Sequence, residues 1–491
     1  MKLSLKKSLA ITLALASIGS FNLSNANAMT NQSAYSIPTV QAKTNLYSNY
    51  LTSENWQENT KNTLNEFLQT YGKNSANYSK ENRPYAVFDF DNTTSIMDIE
   101  EQLAIWQIDH LAFAVTPEQL SEVLKTGIPQ DRLTATYGAN AGEGTQIKII
   151  DVIDDAVAAY TKLYNAGYVS TTGSQLPNNI KNSDDFKEFS SKMRWLYDAI
   201  SENMDTSVSY PWITYWFTGM TPDEVYNLAY ACDTYYSNPQ QGQTWTKGSY
   251  NGPTNYKSKA GSVNISYNLG LTVSPEIKEL YSALDKNGID TWINSASQID
   301  VVRAAVDFFQ VPGVDGIVAM TNKLDDNGRY INEYNYDLHA QTQGVGKSLT
   351  IDKVIAPKYN GHGPIFTAMD SQGDFNFCTE YKDTKAVLIL NRIRTDDAAI
   401  CAGIAQYQEQ NNIGLKEANL TGNTKYLLQG RNENTGKLWN SYETLRLGKT
   451  SNAYLSDKAL KVIDELNQNK PINEVISENT SLKDYQGYKT R

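Results

Sequence analysis

At 86-AVFDFDNTT-94 an apolar run ends in acid. Tyr85 to Phe88 make a short apolar run of the kind carried by a strand buried on both faces, and Asp89 and Asp91 follow at its end. Two carboxylates at i and i+2 in such a place repel each other unless a cation or a shared proton relieves them. A divalent metal would do so. Alternatively, the two aspartates cap a turn in which Asn92 and Thr93 bond nearby backbone. The stretch alone leaves both readings open.

Upstream, Leu64, Phe67, Leu68 and Tyr71 fall at i, i+3, i+4 and i+7 of a helical pattern that begins at Trp56 and is broken by Arg83 and Pro84. Downstream, 274-SPEIKELYSALDKNG-288 reads as a helix with Ser274 as cap, Pro275 at its first position and Gly288 at its end. A second strand, 289-IDTWIN-294, comes next, and Val302, Ala305, Val306 and Phe309 continue at helical spacing. PIFTAM (364–369) and KAVLIL (385–390) supply two more short apolar strands. Alternation of this kind predicts an α/β fold with a mostly parallel, Rossmann-like sheet and chemistry at the carboxyl ends of its strands.

Between the first two strands lie roughly 190 residues, too many for a loop. They hold helical patterns such as 151-DVIDDAVAAYTKLYNAG-167 and 183-SDDFKEFSSKMRWLYDAI-200, so a large, mainly helical cap is expected at 96–270. The sheet domain is then expected at 81–95 and 271–395, preceded by an N-terminal segment and helix (29–80). Residues 396–491 read as a C-terminal extension of unassigned role, with a hairpin around Asn434, Thr435 and Gly436 in 425-KYLLQGRNENTGKLW-439.

The first 28 residues place Lys2, Lys6 and Lys7 before an apolar stretch and end in Ala26-Asn27-Ala28, the order of a cleavable secretory signal peptide. An exported protein, periplasmic or secreted, is expected, with no membrane attachment after cleavage. The balance of 43 Lys+Arg against 54 Asp+Glu, without a long basic run, speaks against nucleic acid as a partner. Cys232, Cys378 and Cys401 are the only cysteines; Cys378 and Cys401 form a bridge or remain buried thiols. His110, His339 and His362 show no zinc-site spacing.

Further groups join Asp89 and Asp91 at the expected sheet edge. Ser295 follows TWIN directly, Lys347 lies in 344-GVGKSLTID-352 at the start of a helix, and Asp370 and Asp374 follow PIFTAM. Ser295 has rivals in Ser297 and Thr218. The ordered set Asp89-x-Asp91-x-Thr93, Ser295, Lys347, Asp370 with Asp374 resembles the motifs of the haloacid dehalogenase superfamily. The one departure is Met369, where the family usually has glycine before the first acid of the last motif.

The resemblance implies a phosphatase that uses Mg²⁺ and an aspartyl-phosphate. Asp89 would be the nucleophile, Asp91 the general acid and base, and Thr93 the group orienting Asp91. Ser295 would bind a phosphoryl oxygen, and Lys347 would offset charge. The metal would be held by Asp89, by Asp91 through its backbone carbonyl, and by Asp370, with Asp374 positioning a metal water or Lys347. Asp91 favours phosphate ester hydrolysis over dehalogenation, because an alcohol needs a proton on leaving and a halide does not.

The stretch 86-AVFDFDNTTSIMDIEEQL-103 is in turn similar to exported bacterial phosphorylcholine phosphatases. That similarity places Glu101, alone or with Glu100, where an acid binds a quaternary ammonium, and makes a small phosphate ester the partner. Both glutamates equally suit the first turn of a helix. Trp106, Trp195, Trp212 and Trp216 are either core or cation-π partners. A broad-specificity phosphatase, a phosphoserine phosphatase-like enzyme and a non-catalytic binding protein on the same sheet remain as alternatives.

Overall fold

The computed structural model describes residues 48–76, 78–138, 147–237, 245–483, 485 and 487, so the signal peptide expected at 1–28 and the segment 29–47 lie outside the described residues. Six strands form one parallel sheet: β1 (Tyr85–Phe88), β2 (Asp290–Gln298), β3 (Val314–Met320), β4 (Phe366–Met369), β5 (Ala386–Leu390) and β6 (Lys425–Gln429). Their order across the sheet is β6-β5-β4-β1-β2-β3, the doubly wound arrangement. The strand order reverses between β1 and β4, and a crevice opens beyond the carboxyl ends of such a pair.

Every residue of β1, β4, β5 and β6 is buried, as a sheet covered on both faces requires. Ala86 and Phe88 join one apolar cluster with Phe366, Ala368 and Leu388, while Tyr85 and Val87 join another with Met369, Val387, Ile389 and Leu428. The alternation along each strand therefore feeds two cores. On the first face lie the helix Glu58–Tyr71 and the helix Pro275–Lys286, whose Tyr281 ring sits 4.3 Å from that of Phe88. Ser274 caps the latter by accepting from the Ile277 amide at 3.3 Å. On the second face lies the helix Ala398–Gln410, which joins β5 to β6 and buries Ile400 and Ile404.

The sheet thus runs past the boundary expected at residue 395. KYLLQ is not a hairpin arm but the edge strand β6; within 425–439 the antiparallel pairing is confined to Arg431–Asn432 with Lys437–Leu438. The break falls at Gly430, where a Cβ would lie 1.9 Å from the Glu443 carbonyl oxygen. Cys232, Cys378 and Cys401 are all free and buried.

The chain leaves the sheet at Ile96 and returns at Thr272, and these two form an antiparallel bridge, with the Ile96 amide donating to Thr272 O at 2.7 Å. Between them are the helices Ile99–His110, Ile149–Asn165, Asp184–Asn203, Thr206–Thr214 and Pro222–Tyr236, several shorter ones, and a hairpin of Thr246–Asn251 with Asn264–Leu269. Trp195, Trp212 and Trp216 are sealed in this layer; Trp212 and Trp216 pack at 5.5 Å, and Trp216 meets Phe113 at 5.9 Å. A second excursion after β3, the hairpin Asn322–Leu324 with Tyr330–Tyr334, clasps the helical layer through backbone bonds between Tyr330 and both Gly219 and Met220, each 2.8 Å.

Candidate active site

The register sets the site. Phe88 pairs with Ala368 on one side and Ile293 on the other, so Asp89, Asp370 and Ser295 reach the same sheet edge, at the point where the strand order reverses. After β1 the chain closes a tight loop in which the amides of Thr93, Thr94 and Ser95 all donate to Phe90 O. Asn92 takes a left-handed conformation (φ 62°), which asparagine tolerates better than most residues. Thr94 Oγ1 donates to Asp89 O at 2.7 Å.

The side chains then converge. Lys347, from the helix Val345–Thr350, is 2% exposed, and its Nζ lies 2.6 Å from Asp89 Oδ1 and 2.7 Å from Asp374 Oδ1. Thr93 Oγ1 donates to Asp89 Oδ2 at 2.8 Å. Asp374 Oδ2 accepts from the amide of Asp370 at 3.3 Å. Arg392 Nη1 lies 2.6 Å from Asp370 Oδ2. Asp89, Asp370 and Asp374, all buried, each offer an oxygen within 4.8 Å of the others.

Asp91 points elsewhere: Oδ1 accepts from the Ile99 amide at 2.7 Å, and Oδ2 from Ser297 Oγ at 2.7 Å and Ser295 Oγ at 3.3 Å. Thr93 therefore holds Asp89 rather than Asp91, contrary to the role implied by resemblance. Asp91 is oriented instead by the two serines and by the start of the helix Ile99–His110. Thr218 is absent from this group; its hydroxyl donates to Tyr215 O within the helical layer. Met369 occupies a strand position paired with Ile389, where extended backbone makes no demand for glycine.

The electrostatics follow from crowding acids in a buried place. Burial raises the Asp89 carboxyl above its usual range, and Asp370 adds to this while Lys347 opposes it. Burial, then Asp89, pushes Asp374 up to about 8. Asp91 is raised well above the carboxylate range by burial and by Asp98 and Asp89. Burial works against the Lys347 ammonium, but Asp374 and Asp89 outweigh it and hold the charge in place. Three carboxyls, those of Asp89, Asp370 and Asp374, thus face the cations Lys347 and Arg392, and a divalent ion among them would relieve their mutual repulsion. The donors of the cluster are all carboxylate oxygens, the set that suits Mg²⁺, Mn²⁺ or Ca²⁺.

On the cap side, Asp98 caps the helix Ile99–His110 by accepting from the Glu101 amide at 2.9 Å. Burial, with Glu101, raises its carboxyl to about 7. Glu101 itself lies 2.7 Å from Arg194 Nη2, and Asp198 lies 2.8 Å from the same nitrogen. Glu100 turns inward, its Oε2 accepting from the Gln298 amide at 2.9 Å. The rings of Trp195, Trp212 and Trp216 belong to the core, and Trp106 stacks on His110 at 3.5 Å, so packing accounts for all four. His339 and His362 stand apart from the site; the exposed His362 offers its backbone O to Tyr85 OH at 2.7 Å, at the opposite end of β1.

Asp98, Arg392 and Arg431 are not among the site residues expected from the sequence, and Ser297 stands there only as a rival to Ser295. The strand β2 continues to Gln298, so Ser295 sits inside it and Ser297, two residues on, shares its face. Arg392, two residues beyond the run KAVLIL, carries a legible signal: a cation just past a buried strand on the functional edge.

No family model and no curated protein matches the chain. Among solved structures it is similar to a conserved, functionally unknown protein from Anaerococcus prevotii DSM 20548, with 26% identity over 83% of this chain and 100% of that one and a TM-score of 0.66. It also aligns with a HAD family hydrolase from Salmonella enterica serovar Typhi (10% identity, 63% of each chain, TM-score 0.29). A phosphoserine phosphohydrolase-like protein from Francisella tularensis aligns as well (13% identity, 62% and 87% of the two chains, TM-score 0.25). Similarity at the level of the last two assigns no function.

Proposed function

We propose that this protein is a phosphomonoesterase of the haloacid dehalogenase type. The observation that carries the reading is the buried meeting of Asp89, Asp370, Asp374 and Lys347 where the strand order reverses. An Asp89 carboxylate oxygen attacks the phosphorus in line, the ester P–O bond breaks, and the departing alkoxide takes the proton held by Asp91. Water then attacks the aspartyl-phosphate, giving its proton to Asp91 and releasing phosphate and free Asp89. Lys347 offsets charge shared between Asp89 and the phosphoryl group, and the serines at Asp91 fix its carboxyl. Mg²⁺ held by Asp89, Asp370 and Asp374, with the backbone carbonyl of Asp91, would supply positive charge against the phosphoryl oxygens.

For the substrate we favour a small ester whose alcohol carries a cation, such as phosphocholine. What supports this is the acidic cap-side group of Asp98, Glu101, Asp198 and Glu202, in which Arg194 is shared by Glu101 and Asp198. A phosphoserine-type substrate would want a cation for its carboxylate, while Arg194 and Arg392 already hold carboxylates of the protein. Export rests on the leader at 1–28, and amino-terminal sequencing of the mature protein checks it. The activity is tested with p-nitrophenyl phosphate with and without Mg²⁺. Wild type is expected to release phosphate only with the metal, and Asp89→Asn to lose at least about 10⁴-fold; turnover retained in Asp89→Asn would overturn the reading.

A further inference from the structure

Arg392 stands two residues past the end of β5, with Nη1 2.6 Å from Asp370 Oδ2, while Thr93 Oγ1 lies 3.5 Å from Asp370 Oδ1. The carboxylate of Asp370 is therefore held at Oδ2 by the guanidinium, while Thr93, whose one proton goes to Asp89, only lies near Oδ1. The loop that delivers the arginine is strained: Ile393 has φ 56°, the left-handed region that a β-branched residue rarely adopts. Such a conformation persists only where its surroundings over-determine it.

Here they do, and the restraints come from the chain after residue 430. Asn391 Oδ1 accepts from the Ile393 amide at 2.9 Å, and Asn391 Nδ2 donates to Tyr442 O and Tyr454 O, both at 2.7 Å. Thr444 Oγ1 donates to Asn391 O at 2.5 Å. Arg446 Nη2 donates to Arg392 O at 2.7 Å and to Ile393 O at 2.9 Å. The same segment grips the other side of the site. Arg431, fully buried and braced by Glu433, donates to Asn92 O at 2.8 Å and to Asn92 Oδ1 at 2.9 Å, beside Asp91.

We propose that Arg392, held in place by residues 430–454, is a positioning residue that sets the divalent-cation affinity of the Asp89, Asp370 and Asp374 cluster by fixing the Asp370 carboxylate. The inference rests on the metal-dependent reading of the site. A partner that restrains a ligating carboxylate pre-forms the site, and its loss typically weakens metal binding by about 10- to 100-fold. A guanidinium presents its donors in a rigid plane, whereas an ammonium on a flexible stem fixes its partner less. The C-terminal residues contribute by making the strained loop the stable one.

The experiment titrates Mg²⁺ into the metal-stripped full chain by calorimetry and by the shift in Tm, for wild type, Arg392→Gln, Arg392→Lys and Arg446→Gln. The Kd for Mg²⁺ is expected to rise at least about 10-fold in Arg392→Gln and less in Arg392→Lys and Arg446→Gln. A merely structural role would lower the metal-free Tm and leave Kd where it was. An unchanged or smaller Kd in Arg392→Gln overturns the proposal. Should that variant fail to unfold cooperatively, an unchanged Kd in both Arg392→Lys and Arg446→Gln overturns it instead. Wild type that binds no Mg²⁺ defeats the metal-dependent reading itself, which is a separate outcome.

Discussion

On the floor of the site, Lys347 bonds Asp89 and Asp374 with all three groups buried. On the cap side, Arg194 is shared between Glu101 and Asp198, whose carboxylates are 23% and 20% exposed. Each region sets one cation between two acids, yet the physics differs. Without water, the floor charges are strongly coupled, and removing one leaves the others unpaired at a cost of several kcal/mol. On this cap-side wall Arg194 is buried while its two carboxylates keep part of their contact with solvent, so the pairs are screened in part and the carboxylates stay open to a ligand. The same charge pattern is thus sealed from solvent below and partly open to it above.

Substitutions that break the floor should produce the largest effects. Lys347→Met should abolish turnover and destabilise the metal-free protein by about 3–5 kcal/mol in urea unfolding, because two buried carboxylates lose their counter-charge; added Mg²⁺ should restore part of the loss. Asp91→Asn should lower kcat by about 10²–10⁴ on an alkyl phosphate and by less on p-nitrophenyl phosphate, whose leaving group needs no proton. An equal loss on both esters would remove Asp91 from protonating the leaving group.

Between floor and wall lies Glu100, buried and raised to about 8 chiefly by burial. Because its folded value lies above its unfolded one, its contribution to stability is full at low pH and is lost as pH rises through about 8. Glu100→Gln, which imitates the protonated acid, should therefore gain stability relative to wild type between pH 5 and pH 8, by about 3–4 kcal/mol in urea unfolding. A difference independent of pH would contradict this. On the wall, Glu101→Gln should leave stability within about 1 kcal/mol. It should raise KM for phosphocholine more than for butyl phosphate, and equal changes would count against a cation-selecting wall.

Local signals and long-range partners divide in the same way between what was legible in the sequence and what was not. The residues Asp89, Lys347, Asp370 and Asp374 were readable because each follows a local signal, the end of an apolar run or the start of a helix. Their side-chain partners were not. Thr93 turns to Asp89 because the loop of Phe90 to Ser95 closes on one carbonyl, and no spacing reveals which carboxylate that leaves within reach. Strand β6 was hidden because KYLLQ is a short run beside a strong turn signal, Asn434 to Gly436, while its actual partner is the distant β5, in a register that sets Leu388 against Leu427. Arg431 meets Asn92 across 339 residues of chain, a contact that only the assembled sheet makes possible.

The most direct measurement is a crystal structure with Mg²⁺ and beryllofluoride, a mimic of the phosphoryl group. Beryllium is predicted to bond an Asp89 carboxylate oxygen, with the metal beside Asp370. Beryllofluoride absent from Asp89, or metal bound away from Asp370, would contradict the phosphatase reading.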